Sequence, residues 1–290
     1  MVEFVSINGA QLAYRLVGPE NGPLIITLHG GRGFGDHKSD FKAYSPLSSS
    51  YRVLSFDFRG HGQSSRTEPF TFHQIVEDIE GLRRHFLGAD QPCIICGGSF
   101  GGFLAQQYAV TYPSRVSHLI LRGTAPSHHR KCHIGFDTLR LSARFSNITM
   151  IASKAPGLSI KFLKDKIFGR FESDLEFRLV MYAAAPLYSE HFDPDIALKH
   201  NIETVFYAKS HNDLYAEQEK YFDYRDQLHS ITAKTLVIVG ERDWICPPEQ
   251  SKTIASKIPG ADLRVIANAN HGVHLEKNAE VIELIKEHIR

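Results

Sequence analysis

Ser99 stands in Gly97-Gly98-Ser99-Phe100-Gly101-Gly102, between the apolar run Pro92-Cys93-Ile94-Ile95-Cys96 and the helix-like run Phe103-Leu104-Ala105-Gln106-Gln107-Tyr108-Ala109. A Gly-x-Ser-x-Gly pattern where a strand turns sharply into a helix is the setting of a serine nucleophile. The serine takes a strained conformation at the turn, and small flanking residues let neighbouring backbone pass without a Cβ clash. The N–H of Phe100, at the start of the helix, then points to where an oxyanion would develop, aided by the helix dipole.

A serine nucleophile needs a base and an acid, and both occur later in the chain. Thr235-Leu236-Val237-Ile238-Val239-Gly240 reads as a buried parallel strand, followed by Glu241-Arg242-Asp243, which places Asp243 at the carboxyl end. Val265-Ile266-Ala267-Asn268-Ala269-Asn270-His271-Gly272 reads as a second strand and a loop, with His271 over the serine. Asp243 would fix the tautomer of His271 and stabilise its imidazolium when Ser99 gives up its proton. His274 is the competing base; it falls at the start of the terminal helix, so His271 is preferred.

An oxyanion site needs a second donor. Ile25-Ile26-Thr27-Leu28 runs into the glycine-dense His29-Gly30-Gly31-Arg32-Gly33-Phe34-Gly35, where a backbone N–H can approach a reacting carbonyl, and Gly31 is assigned this role beside Phe100. A phosphate-cradling loop is the rival. It is weak, since no Gly-Lys-Ser/Thr follows, the Gly-x-Gly-x-x-Gly spacing is absent and no helix signal starts at the glycines. Arg32, Phe34 and Trp244 are the candidate substrate contacts. Arg32 by itself is expected to face solvent; the alternative is a guanidinium that reaches the pocket and pairs with a substrate carboxylate or acidic enol.

These segments, together with Asp57-Phe58-Arg59-Gly60-His61-Gly62-Gln63-Ser64 and with Glu276 shortly after His271, resemble the α/β-hydrolase fold family over nearly the whole chain. The first half is most similar to the proline iminopeptidase-like branch, which carries His-Gly-Gly-Pro-Gly and Gly-Gly-Ser-x-Gly. Here Arg32 stands where that branch has proline, and Phe58 and His61 alter its Asp-Gln-Arg-Gly turn. The resemblance implies an α/β class fold, a mostly parallel eight-stranded sheet flanked by helices with an inserted helical cap, and a serine hydrolase without a cofactor.

The elements that would position these residues follow from hydrophobic patterning. Glu3 to Ile7, an Asn8-Gly9 turn and Gln11 to Val17 read as an antiparallel edge hairpin. Strands follow near Leu24 to Leu28, Arg52 to Phe56, Cys93 and Val116 to Arg122, with helices at Phe72 to Phe86 and from Phe103. The stretch from Arg122 to Thr235 is far too long for a plain connection. Leu158 to Phe168 and Asp174 to Ala184 carry helical spacing, broken by Pro156, Pro186 and Pro194, so a helical cap is expected. The division is a core of 1–124 and 233–290 and a cap of 125–232. The cap aromatics Phe162, Phe168, Phe171, Phe177, Tyr182 and Tyr188 are read mainly as its own core, the remainder as pocket lining.

Composition fits one enzyme-sized unit: 290 residues, 42% hydrophobic and a net charge of +1. That balance gives no case for nucleic acid or an acidic membrane surface, and neither a signal peptide nor an apolar span of roughly 18 residues is present. The expected partner is a small-molecule substrate and the expected place the cytoplasm. Cys93 and Cys96 are spaced to opposite faces of a strand, which argues against a redox pair. No metal-spaced cluster emerges from His128, His129 and His133, so no metal is expected; Asn147-Ile148-Thr149 is read as an incidental glycosylation match.

The reading of function is a serine hydrolase that cleaves a small ester, lactone or amide through an acyl-enzyme. Three alternatives are an aminopeptidase of the proline iminopeptidase type, a hydrolase of carbon–carbon bonds in a diketone-type compound, and a non-catalytic ligand receptor. An aminopeptidase needs a cap carboxylate for the substrate ammonium, and Glu190, Asp193, Asp213, Glu217 and Glu219 are available; each is read as solvated surface.

Overall fold

The computed structural model describes residues 1–128, 153–188 and 190–290. Cys132, His129, His133 and the Asn147-Ile148-Thr149 match lie outside them.

Eight strands form one sheet: β1 (Glu3–Ile7), β2 (Ala10–Val17), β3 (Leu24–Leu28), β4 (Arg52–Phe56), β5 (Cys93–Gly98), β6 (Val116–Arg122), β7 (Lys234–Gly240) and β8 (Asp262–Ile266). Their spatial order is β1-β2-β4-β3-β5-β6-β7-β8. β2 pairs antiparallel with β1 and β4, and all later pairings are parallel. The hairpin turns at Asn8 and Gly9, with φ of 47° and 79°, the positive pair that a two-residue hairpin loop requires. The strand order reverses at β3, so the carboxyl ends of β3 and β5 lie side by side with Leu28 opposite Gly97. Ligands in open α/β sheets bind at such a reversal.

Helices α1 (His37–Tyr44), α2 (Phe72–Leu87) and α3 (Phe100–Thr111) pack on the first half of the sheet. α2 begins where the Thr71 side chain accepts the Gln74 N–H and ends at Gly88, and it buries Phe72, Ile75, Val76, Ile79 and Leu82 on one face. α1 was not anticipated from the glycine loop. It starts two residues beyond Gly35, where Asp36 accepts the Lys38 N–H, and the cap residue rather than the glycines nucleates it. Cys93 packs in the apolar core on one face of the sheet and Cys96 in the core on the other, as their spacing requires.

Between β6 and β7 the described chain forms α4 (Ile160–Asp165), α5 (Asp174–Ala184), α6 (Pro194–Glu203), α7 (Ala208–Leu214) and α8 (Glu217–Lys220). They enclose a separate apolar cluster that includes Leu163, Phe171, Phe177, Met181, Leu187 and Phe206. Phe171 and Phe177 stack at 4.2 Å in its centre. The returning segment is different: Leu214, Tyr224, Leu228, Ile231 and Ala233 pack into the core beneath the sheet. After β7 come α9 (Pro248–Lys257), β8, α10 (Val273–Glu276) and α11 (Asn278–His288). Among the described residues no helix is long and apolar enough to cross a membrane.

Candidate active site

β5 ends in a backbone contortion. Ser99 has φ 52° and ψ −118°, a left-handed conformation that an L side chain takes only when its surroundings impose it. The Ser99 N–H donates to the Arg122 carbonyl at 3.0 Å, and the Ser99 carbonyl accepts from the Gly102 and Phe103 N–H groups and from Thr124 Oγ1. α3 can leave this turn at close quarters because Gly101 has no side chain; a Cβ there would lie 2.0 Å from the Leu28 carbonyl oxygen.

Beneath the turn, Arg122 is buried, donating to Tyr44 Oη at 2.7 Å and to Asp40 at 2.5 Å. His274 lies in the same layer. Its Nε2 is 3.6 Å from Asp40, and neither ring nitrogen has a hydrogen-bond partner. Burial holds its pKa well below the ordinary value, with the Arg122 charge acting in the same direction. A buried, neutral imidazole with no hydrogen-bonded carboxylate is a poorer candidate base than His271.

His271 is placed differently. Its Nδ1 is 2.8 Å from Asp243 Oδ2, while Asp243 Oδ1 accepts the N–H groups of Ile245 at 3.0 Å and Cys246 at 2.9 Å. The carboxylate is thus anchored on one oxygen and presents the other to the imidazole. Asn270 Oδ1 accepts the His271 N–H, and Asn270 Nδ2 donates to Glu190, so the histidine loop is tied to the α5–α6 connection. Among the described residues no hydrogen bond joins Ser99 Oγ to His271 Nε2; contacts between a nucleophile and its base often tighten only when substrate is bound.

The glycine loop passes over the serine: a Cβ on Gly30 would lie 3.2 Å from Ser99 Cβ. Gly31 has φ 89° and a Cβ there would be 2.4 Å from the Phe34 carbonyl oxygen, so the loop demands glycine. Among the described residues neither the Gly31 nor the Phe100 N–H has an acceptor. Sequence reasoning missed what fixes this loop. His61 Nε2 accepts the Gly33 N–H at 2.8 Å, and its Nδ1–H donates to the Arg59 carbonyl at 3.0 Å. Burial pushes the His61 pKa down to about 3, which keeps the ring neutral and Nε2 an acceptor. The ring also stacks on Phe100 at 6.3 Å, so it links the glycine loop to the start of α3. The only hint was its departure from the Asp-Gln-Arg-Gly turn.

Phe34 and Trp244 both pack against the cap cluster. Phe34 is 5.5 Å edge-on to Phe177; Trp244 Nε1 donates to the Leu187 carbonyl at 2.6 Å, with the Tyr188 ring 6.1 Å away. Of the cap aromatics, Tyr188 comes within 6.2 Å of His271.

Arg32 does not face solvent, as a lone arginine was expected to. It is 5% exposed, because aromatic rings from α2, α3 and the returning cap close over it, Tyr215 nearest at 4.1 Å. Two of the carboxylates expected on solvated surface are engaged as well. Glu190 pairs with Arg242 at 2.7 Å and with Asn270, and Glu219 accepts the Phe72 N–H at 2.9 Å with its pKa raised by burial. Asp213 pairs with Lys209 at 2.7 Å, and Asp193 caps α6.

Among the described residues no cluster of metal-binding side chains occurs. A family model described as alpha/beta hydrolase fold matches residues 23–278. The chain is 61% identical to the proline iminopeptidase PfmaB of Pestalotiopsis fici over 289 residues, covering 100% of this chain and 99% of that protein. It is 28% identical to a proline iminopeptidase of Saccharolobus solfataricus, covering 95% and 87%. Among solved structures it superposes on the esterase EaEST of Exiguobacterium antarcticum with a TM-score of 0.75 at 20% identity, over 99% of this chain and 98% of that one.

Proposed function

The chain belongs to the α/β-hydrolase fold family and is a hydrolase, and from that premise we propose that it cleaves a small ester, lactone or amide with Ser99, His271 and Asp243 as its triad. The observation that carries the reading is the anchored Asp243–His271 pair, together with a serine held in a forced turn at the end of β5. Ser99 Oγ attacks the carbonyl carbon as His271 Nε2 takes its proton, and Asp243 stabilises the imidazolium. The N–H groups of Gly31 and Phe100 receive the oxyanion. Collapse expels the leaving group, which takes the proton from His271, and leaves acyl-Ser99. His271 then deprotonates a water that attacks the acyl carbonyl, and release of the acid restores the hydroxyl. Residues 125–232 form the cap in this reading, with the segment from Tyr224 as its seam on the core. Buried free thiols at Cys93, Cys96 and Cys246 fit a cytoplasmic setting.

The 61% identical relative favours a second reading, an aminopeptidase. That reaction needs a free carboxylate for the substrate ammonium, and Glu190 and Asp213 are already paired while Glu219 is engaged by backbone. A buried cation on the glycine loop opposes an ammonium nearby. The test is parallel turnover of aryl esters, lactones and amino-acid arylamides by wild type and Ser99→Ala, with a fluorophosphonate probe. Ester or lactone turnover and labelling at Ser99, both lost in the variant, are expected. Labelling elsewhere refutes the triad, and turnover confined to prolyl arylamides establishes the second reading.

A further inference from the structure

Arg32 is a buried cation whose hydrogen-bonding capacity is mostly unspent. Nη1 donates to the Leu214 carbonyl at 2.8 Å, and this is the one hydrogen bond its guanidinium makes among the described residues. No carboxylate stands within ion-pair distance of it among the described residues; the charge of Glu219, whose carboxylate accepts the Phe72 N–H, acts on it from farther away. The rings of Tyr215, Phe72, Phe103, Phe100 and Phe222 lie 4.1, 5.0, 5.4, 5.5 and 5.9 Å from the guanidinium carbon. Aromatic faces stabilise the positive charge, yet they leave in-plane N–H donors unmet. The Nε and Nη2 groups are therefore free as a pair, and they form the edge that matches two carboxylate oxygens. Neither nitrogen is among the buried polar atoms sealed from open space without a partner.

The position is suited to recognition. Arg32 directly follows Gly31, and its own carbonyl accepts from His211 Nδ1, so the loop is pinned to α7. The guanidinium carbon lies 5.5 Å from the ring of Phe100, the residue after Ser99, and the loop that carries it passes Ser99 at Gly30, where a Cβ would lie 3.2 Å from Ser99 Cβ. Water exclusion there makes an unpaired cation costly and a matching anion correspondingly well held.

We infer that Arg32 is a substrate-recognition residue whose free Nε/Nη2 edge binds a carboxylate or enolate, so that this hydrolase acts on acyl compounds that are anions at working pH. The inference rests on the hydrolase reading above and narrows its substrate class. One charge-assisted bidentate contact corresponds to a preference of about tenfold to a hundredfold.

Two matched pairs test it: 4-nitrophenyl hemiglutarate against 4-nitrophenyl valerate, with the charge on the acyl side, and 4-acetoxybenzoate against 4-acetoxybenzamide, with the charge on the leaving group. The expected result is that wild type prefers the anion in at least one pair by that factor, through KM. The preference falls to near unity in Arg32→Gln and survives in part in Arg32→Lys. Equal kcat/KM within both pairs in wild type overturns the inference, as does a preference that persists in Arg32→Gln; the wild-type comparison decides if that variant fails to fold. Binding is read separately in Ser99→Ala by fluorescence of Trp244, the chain's single tryptophan, titrated with glutarate and 4-hydroxybenzoate against their amides. Arg32-dependent anion binding without ester turnover keeps the site and removes the hydrolase reading, whereas ester turnover with no charge preference does the reverse.

Discussion

Replacing Asp243 by asparagine should be far more damaging than its size suggests. Asp243 Oδ1 accepts two backbone N–H groups, from Ile245 and Cys246, so the asparagine carbonyl oxygen must occupy that position. The amide NH2 is thereby turned toward His271 Nδ1, 2.8 Å away, and donates to it. Nδ1 becomes the acceptor and the imidazole proton moves to Nε2, where it cannot take the proton of Ser99. The amide has no low-cost flip, since flipping sets its NH2 against two N–H donors. A wrong tautomer of this kind costs about ten-thousandfold in kcat, or about 5.4 kcal/mol of transition-state stabilisation at 1.36 kcal/mol per decade. KM should change little, because the loss falls on the transition state alone. Steady-state kinetics on the best ester, with circular dichroism and a thermal melt to establish folding, make the measurement. A folded Asp243→Asn that keeps more than about a tenth of wild-type kcat would refute the tautomer argument.

His271→Ala should abolish turnover, while His274→Ala should lose about 1–3 kcal/mol of stability and keep kcat within about tenfold; kinetics and urea melts on both decide, and the reverse pattern misplaces the base. His61→Leu strips the acceptor from the buried Gly33 N–H and should cost about 1–3 kcal/mol in denaturant titrations, with a lower kcat. A variant as stable as wild type would remove His61 from its supporting role. Stability should also fall on acidification. His61 and His211 have folded pKa values of about 3 through burial, so between the unfolded value near 6.5 and that value the unfolded chain binds more protons and acid favours it. Each contributes a slope of about 1.4 kcal/mol per pH unit; urea titrations that give constant stability from pH 6.5 to 4.5 would contradict it.

What could be read from the sequence were features written in adjacent residues. Ser99, Asp243 and His271 each sit a few positions past an apolar run, so local pattern placed them at strand ends, and parallel pairing then brought the ends together. The hairpin at Asn8-Gly9 and the opposed cysteines follow from a two-residue turn and a two-residue period. Arg32 was misjudged for the opposite reason. Its cage comes from Phe72, Phe100, Phe103, Tyr215 and Phe222, scattered over the chain, and burial assembled at such distances leaves no trace in the loop itself. His61 escaped similarly: its partner Gly33 lies 28 residues away, across the β3–β4 crossover. Glu190 looked like surface because Arg242 and Asn270 reach it only after the cap has folded back.

The φ of 52° at Ser99 sets durability and activity against each other at a single position. Holding a side chain in that conformation costs about 1–3 kcal/mol, a substantial part of the margin by which a typical domain stays folded. Glycine alone would relieve it, at the loss of the proposed nucleophile. Any search for heat-resistant descendants that rewards persistence of the fold and ignores turnover will therefore find its easiest gain by erasing Ser99, so selection for robustness in this protein has to be coupled to selection for chemistry.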